Sequence, residues 1–277
     1  MVEIISKESV IGIKPFLRWA GGKTWLLKHL GNIKQTKYGN YHEAFLGGAA
    51  TYFYLQPLAH SYLSDLNGEL IETYQAIKDN ANAVIEKLKT FKNTEDDYYE
   101  IRSINYKLSQ DRAARFIYLN QTSYNGIYRV NLKGKYNVPY GFRTKGFIDE
   151  TNLLTAQKAL INTTILHCDF YSILENVHPG DLVFLDPPYT VSHNNNGFIE
   201  YNEKIFSLDD QIRLARLIDE IKQRDAYYIL TNAAHKTIEE IFEKGDRKIE
   251  YSRASLIGGL NSKRGQTNEF VFTNTKL

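Results

Sequence analysis

The spacing of apolar and polar positions changes several times along the chain, and each change predicts a change of element. "YHEAFL" (41 to 46) reads as a strand entering the glycine turn "GGAA", with a helix following in "TYFYLQPL". "HSYLSDLN" (60 to 67) reads as a second strand that ends at Asp65. "ELIETYQAIKDN" has helical spacing instead, placing Leu70, Ile71, Tyr74 and Ile77 on one face. Helical spacing continues from 81 to 121, through "ANAVIEKLKTF", "YYEIRSINYKL" and "RAARFIYLNQ". From Thr122 to Gly146 the pattern gives way to Gly, Asn, Pro and Tyr, as expected of loops or a hairpin. "LLTAQKALI" resumes a helix.

The most regular part follows. It runs strand "TTILHCDF", helix "FYSILENV", strand "DLVFLDPP", a polar loop, helix "LDDQIRLARLIDEIKQR" and strand "AYYILTN". Alternating strands and helices predict a doubly wound α/β fold with a parallel sheet. The tail segments "KIEYSRASL" and "NEFVFTN" predict a closing pair of antiparallel strands. On this reading a core of residues 1–69 and 151–277 carries a mostly helical insertion at 70–150.

The segment "FLDPPY" (184 to 189) breaks the strand pattern. Two prolines cannot sit inside a helix, and a central strand would lose two ladder donors. At a sheet's carboxyl edge, the arrangement has a chemical use. The Asp186 carboxylate and the Pro187 carbonyl can each accept a hydrogen bond from one NH₂, and Pro187 and Pro188 hold the pair rigid. Two acceptors draw the lone pair of a planar aromatic amine out of conjugation and make it a better nucleophile. Tyr189 can cover the ring face, a contact worth roughly 1–3 kcal/mol per stacked base.

Composition narrows the setting. The chain has 277 residues, 43% hydrophobic and 24% charged, as in soluble globular proteins. No apolar run approaches the roughly 20 residues that span a bilayer, and "MVEIISKESV" lacks the marks of a secretory signal. These features predict a cytoplasmic protein. A single cysteine, Cys168, excludes an intramolecular disulfide and argues against a cysteine-based metal site, so no metal is expected. Net charge is only +2, but it is unevenly spread. From Arg112 to Ile148 the chain has seven basic residues, five tyrosines and no acid. Basic residues interleaved with aromatics suit a phosphate backbone and base faces.

Two glycine motifs bear on cofactors. "EAFLGGAATYF" places a glycine turn between a strand and a helix, where a doubly wound sheet binds ligands. Asp65 follows Gly47 by 18 residues, at the spacing of an acid that accepts ribose hydroxyls. Together they favour an adenosine-containing cofactor. "WAGGKT" (19 to 24) ends like a nucleotide-binding P-loop, but the glycine required five residues before Gly22 is Leu17. ATP hydrolysis is therefore not expected, and Lys23 is left as a charge for a carboxylate or phosphate.

Taken in order, the motifs resemble the Dam-like (alpha-class, D12) DNA N6-adenine methyltransferases over nearly the whole chain. The segments are "FLRWAGGK" (16 to 23), "FLGGAATYF" (45 to 53), "YLSDLNGELIETY" (62 to 74), "RAARFIYLNQTSYNGIYRVNLKGKYNVPYG" (112 to 141), "CDF" (168 to 170), "DPPY" and "TNEFVFTN" (267 to 274). The resemblance implies a Rossmann-like methyltransferase sheet, an inserted target-recognition domain and the cofactor S-adenosyl-L-methionine. It implies that Trp19, Lys23, Phe45 and Gly47 lie against that cofactor and that Asp65 holds its ribose. Asp169 and Phe170 would bind its adenine, and Asp186 would stand near both its methionine part and the target amine.

For DNA, the resemblance implies that Tyr124 enters the base stack and Asn125 fills the space left by an extruded adenine. Arg129 would read guanine, by the bidentate geometry open to arginine in the major groove. Ile127 and Pro139 would make apolar base contacts, and Arg18 would contact an outer base pair. Arg115, Asn131 and Asn137 complete the expected DNA set. GATC is the expected target, although Gln121 stands where some relatives have arginine and the glycine turn is a loose version of the family's.

The expected reaction is extrusion of one adenine from duplex DNA, at a cost of a few kcal/mol on the order of one unstacking event, and direct in-line transfer to N6. A cognate restriction endonuclease is the expected functional counterpart, with no physical complex implied. Two alternatives stay open on sequence. One is methylation of adenine in RNA or of a protein amide, which would use the same two acceptors. The other is a DNA-binding protein that keeps the fold without turnover.

Overall fold

A computed structural model describes residues 12–131, 133–189, 206–254 and 266–276. The polar loop expected after Tyr189 and the last residues of "KIEYSRASL" lie outside these segments. The chain divides into two compact units. One comprises Met1–Gly22, Gly48–Gln56 and Thr73–Ile161, and the other Lys23–Gly47, Pro57–Glu72 and Asn162–Leu277. They are called here the helical unit and the sheet unit.

The sheet unit holds seven strands: β1 (Tyr41–Glu43), β2 (Ser61–Asp65), β3 (Thr163–His167), β4 (Leu182–Leu185), β5 (Tyr227–Ala233), β6 (Arg247–Ala254) and β7 (Gln266–Thr273). Their order is β3-β2-β1-β4-β5-β7-β6. Pairing is parallel from β3 across to β5, and β7 runs antiparallel to both β5 and β6. The expected parallel sheet with an antiparallel closing pair is thus the one formed. The chain winds outward from β1 to β3 and then returns to β4 beside β1. That reversal is the switch point at which a doubly wound sheet opens a crevice at its carboxyl edge.

Local chemistry explains the elements. All four residues of β4, "LVFL", are buried, as a central parallel strand requires on both faces. The strand stops at Leu185 because neither Pro187 nor Pro188 can donate to a ladder. Helix Leu208–Gln223 starts on a full capping box, Ser207 with Asp210, and buries Leu214, Leu217, Ile218 and Ile221. A core around Phe170, Val183, Leu185, Leu214, Tyr228 and Phe272 joins this helix to the sheet.

Some elements differ from the sequence reading. "YHEAFL" is regular strand only over Tyr41–Glu43, and "FYSILENV" forms a 3-10 helix over Phe170–Glu175. Helix Lys236–Phe242, capped by His235, was not foreseen, nor was helix Gly31–Gln35. A six-residue helix Ala50–Leu55 follows the glycine turn.

In the helical unit the boundary between "ELIETYQAIKDN" and "ANAVIEKLKTF" appears as a kink. Asn80 leaves helical geometry inside Gly68–Lys89, and its side-chain oxygen accepts the Ala83 N–H to start the helix again. Helices Glu95–Ser103, Ser109–Thr122 and Glu150–Leu160 complete the unit. Between the last two, residues 123–141 fold back on themselves through bridges between Ser123 and Tyr140 and between Val130 and Tyr136.

Candidate active site

Four chain segments meet at the carboxyl edge of the sheet. The turn after β4 supplies Asp186 and Tyr189, β5 supplies Thr231, β7 supplies Glu269, and the segment ahead of β1 supplies Lys23. The Lys23 ammonium lies 2.7 Å from Asp186 Oδ1, and the Thr231 hydroxyl donates to the same oxygen at 2.7 Å. Among the described residues, Asp186 Oδ2 accepts from no protein group, so it is left for an incoming donor. Glu269 Oε2 lies 3.8 Å from the same ammonium and accepts the Tyr189 hydroxyl at 2.5 Å. Lys23 also stands 4.8 Å over the Tyr189 ring. Burial pushes the Asp186 carboxyl above its ordinary range, and Lys23 and Thr231 act against that shift.

Sequence reasoning placed Asp186, Pro187, Pro188 and Tyr189 together, as four consecutive residues must be. It left Lys23 as a charge for a carboxylate or phosphate, set it by resemblance against the cofactor, and singled out neither Thr231 nor Glu269. Glu269 lies in the segment "TNEFVFTN", as an acid inside an apolar run, and Thr231 has no signal of its own.

Two further carboxylates stand at the ends of neighbouring strands. Asp65, at the end of β2, accepts the Gly47 N–H through Oδ2 at 3.0 Å and the Asn67 N–H through Oδ1 at 2.9 Å. Burial raises this carboxyl, against the pull of the backbone donors of Gly47, Asn67 and Leu66. Gly47 has φ of 47°, a left-handed conformation that glycine adopts without strain, and this brings its N–H onto Asp65. Asp169, after β3, caps the following turn by accepting the Tyr171 N–H at 2.9 Å. Its carboxylate is also paired with Arg213 at 2.9 Å, a partner the sequence did not suggest. Phe170 stacks on Phe45 with ring centres 5.4 Å apart, and the Arg213 guanidinium lies 4.8 Å from the Phe170 ring.

These acceptors and rings fit an adenosine-containing molecule. Asp65 offers carboxylate lone pairs for hydroxyls, Asp169 offers them for an amine, and Phe45 and Phe170 offer an aromatic wall. Burial pushes the Cys168 thiol up, away from the reactive thiolate. No group of three or more His, Cys, Asp or Glu is placed to hold a metal among the described residues. No helix among them is long and apolar enough to cross a membrane.

The expected DNA residues all lie in the helical unit, and most surround the fold-back at 123–141. The Tyr124 N–H donates to the Pro139 carbonyl at 2.9 Å, which holds "SYNGIY" beside "VPYG". Tyr124 and Ile127 are exposed, and Asn125 adopts φ of 55° between them. Arg129 extends along the opposite strand of the fold-back, donating from Nε to Asn137 Oδ1 at 2.8 Å. Asn131 Oδ1 accepts the N–H groups of Lys133 and Lys135 and shapes the turn.

Arg18 is the unusual member. Asn120 binds its backbone at both N–H (2.7 Å) and carbonyl (2.8 Å). Its guanidinium lies against Gly126, where an added Cβ would come within 2.4 Å of Nη1. That Nη1 is buried with no hydrogen-bond partner among the described residues, and burial and the Arg143 charge lower the Arg18 pKa. Arg115, expected on the DNA side, and Trp19, expected against the cofactor, each have partners inside the helical unit. Arg115 donates to the carbonyls of Ile101 and Arg102 at the end of helix Glu95–Ser103, and Trp19 stacks on Tyr128 at 5.4 Å.

The mostly parallel sheet, with its acids at the strand ends and "DPPY" at the switch point, defines a Rossmann-like methyltransferase fold. The sequence matches the family "D12 class N6 adenine-specific DNA methyltransferase" over residues 19–255, and the chain belongs to that family. It is 32% identical over 280 residues to the type II methyltransferase M1.LlaDCHI of Lactococcus lactis subsp. cremoris, covering 97% of this chain and 98% of the relative. It is 38% identical over 244 residues to the type II methyltransferase M.MjaIII of Methanocaldococcus jannaschii, covering 80% and 84%. The DNA adenine methylase of Escherichia coli K12 shares 29% identity over 254 residues, covering 88% and 89%. The protein is an adenine-specific DNA methyltransferase of the D12 class.

Proposed function

We propose that the enzyme uses S-adenosyl-L-methionine to methylate N6 of an adenine extruded from duplex DNA, with GATC as its target sequence. The observation that carries this reading is the state of Asp186. One of its oxygens is held by Lys23 and Thr231, and the other accepts from no protein group among the described residues. That oxygen accepts one N6–H of the adenine, and the Pro187 carbonyl accepts the other. With both protons engaged, the N6 lone pair is available for attack. Tyr189 covers the base, and the rigid Pro187–Pro188 backbone keeps both acceptors in place.

When bound, the cofactor supplies an electrophilic methyl group on a sulfonium. Asp65 accepts its ribose hydroxyls, and Asp169 and Phe170, with Phe45, hold its adenine. Gly47 lets the backbone approach closely. Much of the acceleration then comes from alignment, for which oriented reactants gain on the order of 7–11 kcal/mol.

On the DNA side, Tyr124 enters the stack and Asn125 occupies the space left by the base. Arg129 reads guanine, Arg18 contacts an outer base pair, and Ile127 and Pro139 touch base edges. Asn131, Asn137 and Arg115 are the remaining contacts. The basic, acid-free stretch from Arg112 to Ile148 supports this assignment. The type II names of two relatives support a protective role beside a cognate restriction endonuclease.

The test is incubation of purified protein with methyl-labelled donor and unmethylated duplex DNA, followed by digestion and mapping of the label. Label on N6 of adenine at GATC is the expected result. Label at another adenine context overturns the target, and label in RNA alone overturns the substrate.

A further inference from the structure

One buried acid in the sheet has no part in the reaction described above. Glu269 lies in β7, opposite Ala233 of β5 and Tyr251 of β6, and its side chain is 0% exposed. A buried ion pair is no more stabilising than well-packed apolar side chains of the same volume, so the fold alone does not call for a carboxylate here. The contacts suggest another reason. Glu269 Oε2 accepts the Tyr189 hydroxyl at 2.5 Å and stands 3.8 Å from the Lys23 ammonium, which itself is 2.7 Å from Asp186.

We propose that Glu269 is a positioning residue for the methyl transfer, tethering the Tyr189 ring by its hydroxyl and sharing Lys23 with Asp186. The inference rests on the reading of Tyr189 as the cover of the target adenine. A tyrosine at the end of a rigid turn still rotates about its own side-chain bonds. A charge-assisted bond at the hydroxyl restricts that freedom, because swinging the ring would break a short contact to a buried carboxylate. The Lys23 ammonium, 4.8 Å over the same ring, restrains its face. The hydroxyl tether and the cation therefore fix the plane against which an adenine ring would stack. Sharing Lys23 also holds that ammonium between the two carboxylates, so Glu269 helps fix where it stands against Asp186. The Glu269 side chain acts on Tyr189 and Lys23, and both in turn bear on the base and on Asp186.

The experiment compares Glu269→Ala, Glu269→Gln, Tyr189→Phe and the Glu269→Ala/Tyr189→Phe pair. Single-turnover transfer is measured at saturating DNA and methyl donor, with both dissociation constants measured separately. Glu269→Ala and Tyr189→Phe each slow transfer, on the order of tenfold to a hundredfold, the range of one charge-assisted hydrogen bond. The double variant is no slower than the slower single one, because both remove the same tether. Glu269→Gln recovers part of the rate, since its carboxamide oxygen still accepts the hydroxyl. Both dissociation constants stay within about threefold, as expected when alignment rather than binding is lost.

A second readout needs no turnover: tyrosine labelled with carbon-13 at Cζ, with the Tyr189 signal identified by its loss in Tyr189→Phe. That signal moves in Glu269→Gln. Additive rate losses, an unmoved Tyr189 signal, or a lower melting temperature with an unchanged transfer rate would each overturn the tether. Failure of the wild type to label adenine would instead strike the reading of Tyr189 as a base cover, and the resonance would still decide the tether.

Discussion

Lys23 and Glu269 have side chains 3% and 0% exposed, whereas Arg129 and Asn131 lie exposed on the fold-back of the helical unit. In the sheet unit, charges of opposite sign are packed against one another, away from water. In the helical unit the basic residues from Arg112 to Ile148 have no acid within their own stretch, and most face solvent. The first arrangement gives short, strong, geometrically fixed contacts in a low effective dielectric. The second gives a field that salt screens and that a polyanion neutralises. Arg18 is intermediate, a half-buried guanidinium pressed on Gly126, with one nitrogen that has no partner among the described residues. The contrast separates the two tasks by their measurable signatures: loss at the sheet edge is loss of rate, and loss at the fold-back is loss of DNA affinity.

The largest expected effect tests the first half of that statement. Asp186→Ala lowers single-turnover methylation by about a thousandfold, at the upper end of the range for removing one preorganised electrostatic group. DNA affinity in a gel-shift titration stays unchanged. A parallel fall in affinity would erase the division between rate and binding.

Arg129→Ala sharpens the second half. Losing one bidentate base contact costs about 1–3 kcal/mol of discrimination, roughly tenfold to a hundredfold. The loss is expected in DNA affinity and in preference over sites changed at one base pair, with little change in single-turnover rate at saturating DNA. An unaltered preference would remove Arg129 from the readout.

Salt titration probes the field itself. With four to six phosphates neutralised, the log–log slope of binding is roughly −4 to −5, so doubling the salt weakens binding roughly 16- to 32-fold. Methyl transfer at saturating DNA is far less salt-sensitive, because the Lys23–Asp186 pair is shielded from counterions. Equal sensitivity of both quantities would place the two charge sets in the same environment.

The smallest effect is in pH dependence. Asp186 must be ionised to accept the amine fully, and burial sets its carboxyl above the ordinary range. Transfer is therefore lost as pH falls through a value higher than the usual carboxylate near pH 4. Lys23→Met removes the charge that opposes the shift and moves the acid limb of the kcat profile further up. A limb that stays in place in the variant would dissociate Lys23 from Asp186. For folding the sign is the same as for any raised acid. The ionised form is disfavoured in the folded state, and that cost is relieved as pH falls.

Much of the fold was readable because it depends on local pattern. The all-apolar β4, the prolines that end it and the boundary at Asn80 between two helical patterns are properties of a few neighbouring residues. Helix Lys236–Phe242 escaped because it is short and its apolar residues, Ile238 and Phe242, make sense only against their packing partners. The site was readable where its chemistry is contiguous, as in "DPPY" and the glycine turn. It was not readable where the partners are distant. Arg213 on Asp169 and Arg115 on the end of helix Glu95–Ser103 are matters of packing.

The sequence alone determined that a strand ends in two acceptors and an aromatic ring, that a glycine turn precedes an acid at ribose spacing, and that one stretch is basic without acids. These follow from covalent order, which no folding can alter. Only the tertiary structure decided that Lys23 neutralises Asp186, that Thr231 takes its second contact, and that Glu269 receives the Tyr189 hydroxyl. Lys23 and Asp186 are separated by 163 positions, and β7 reaches the parallel strands by pairing antiparallel with β5. Hydrogen bonds and ion pairs act over a few ångströms, so their partners are set by which strands lie side by side.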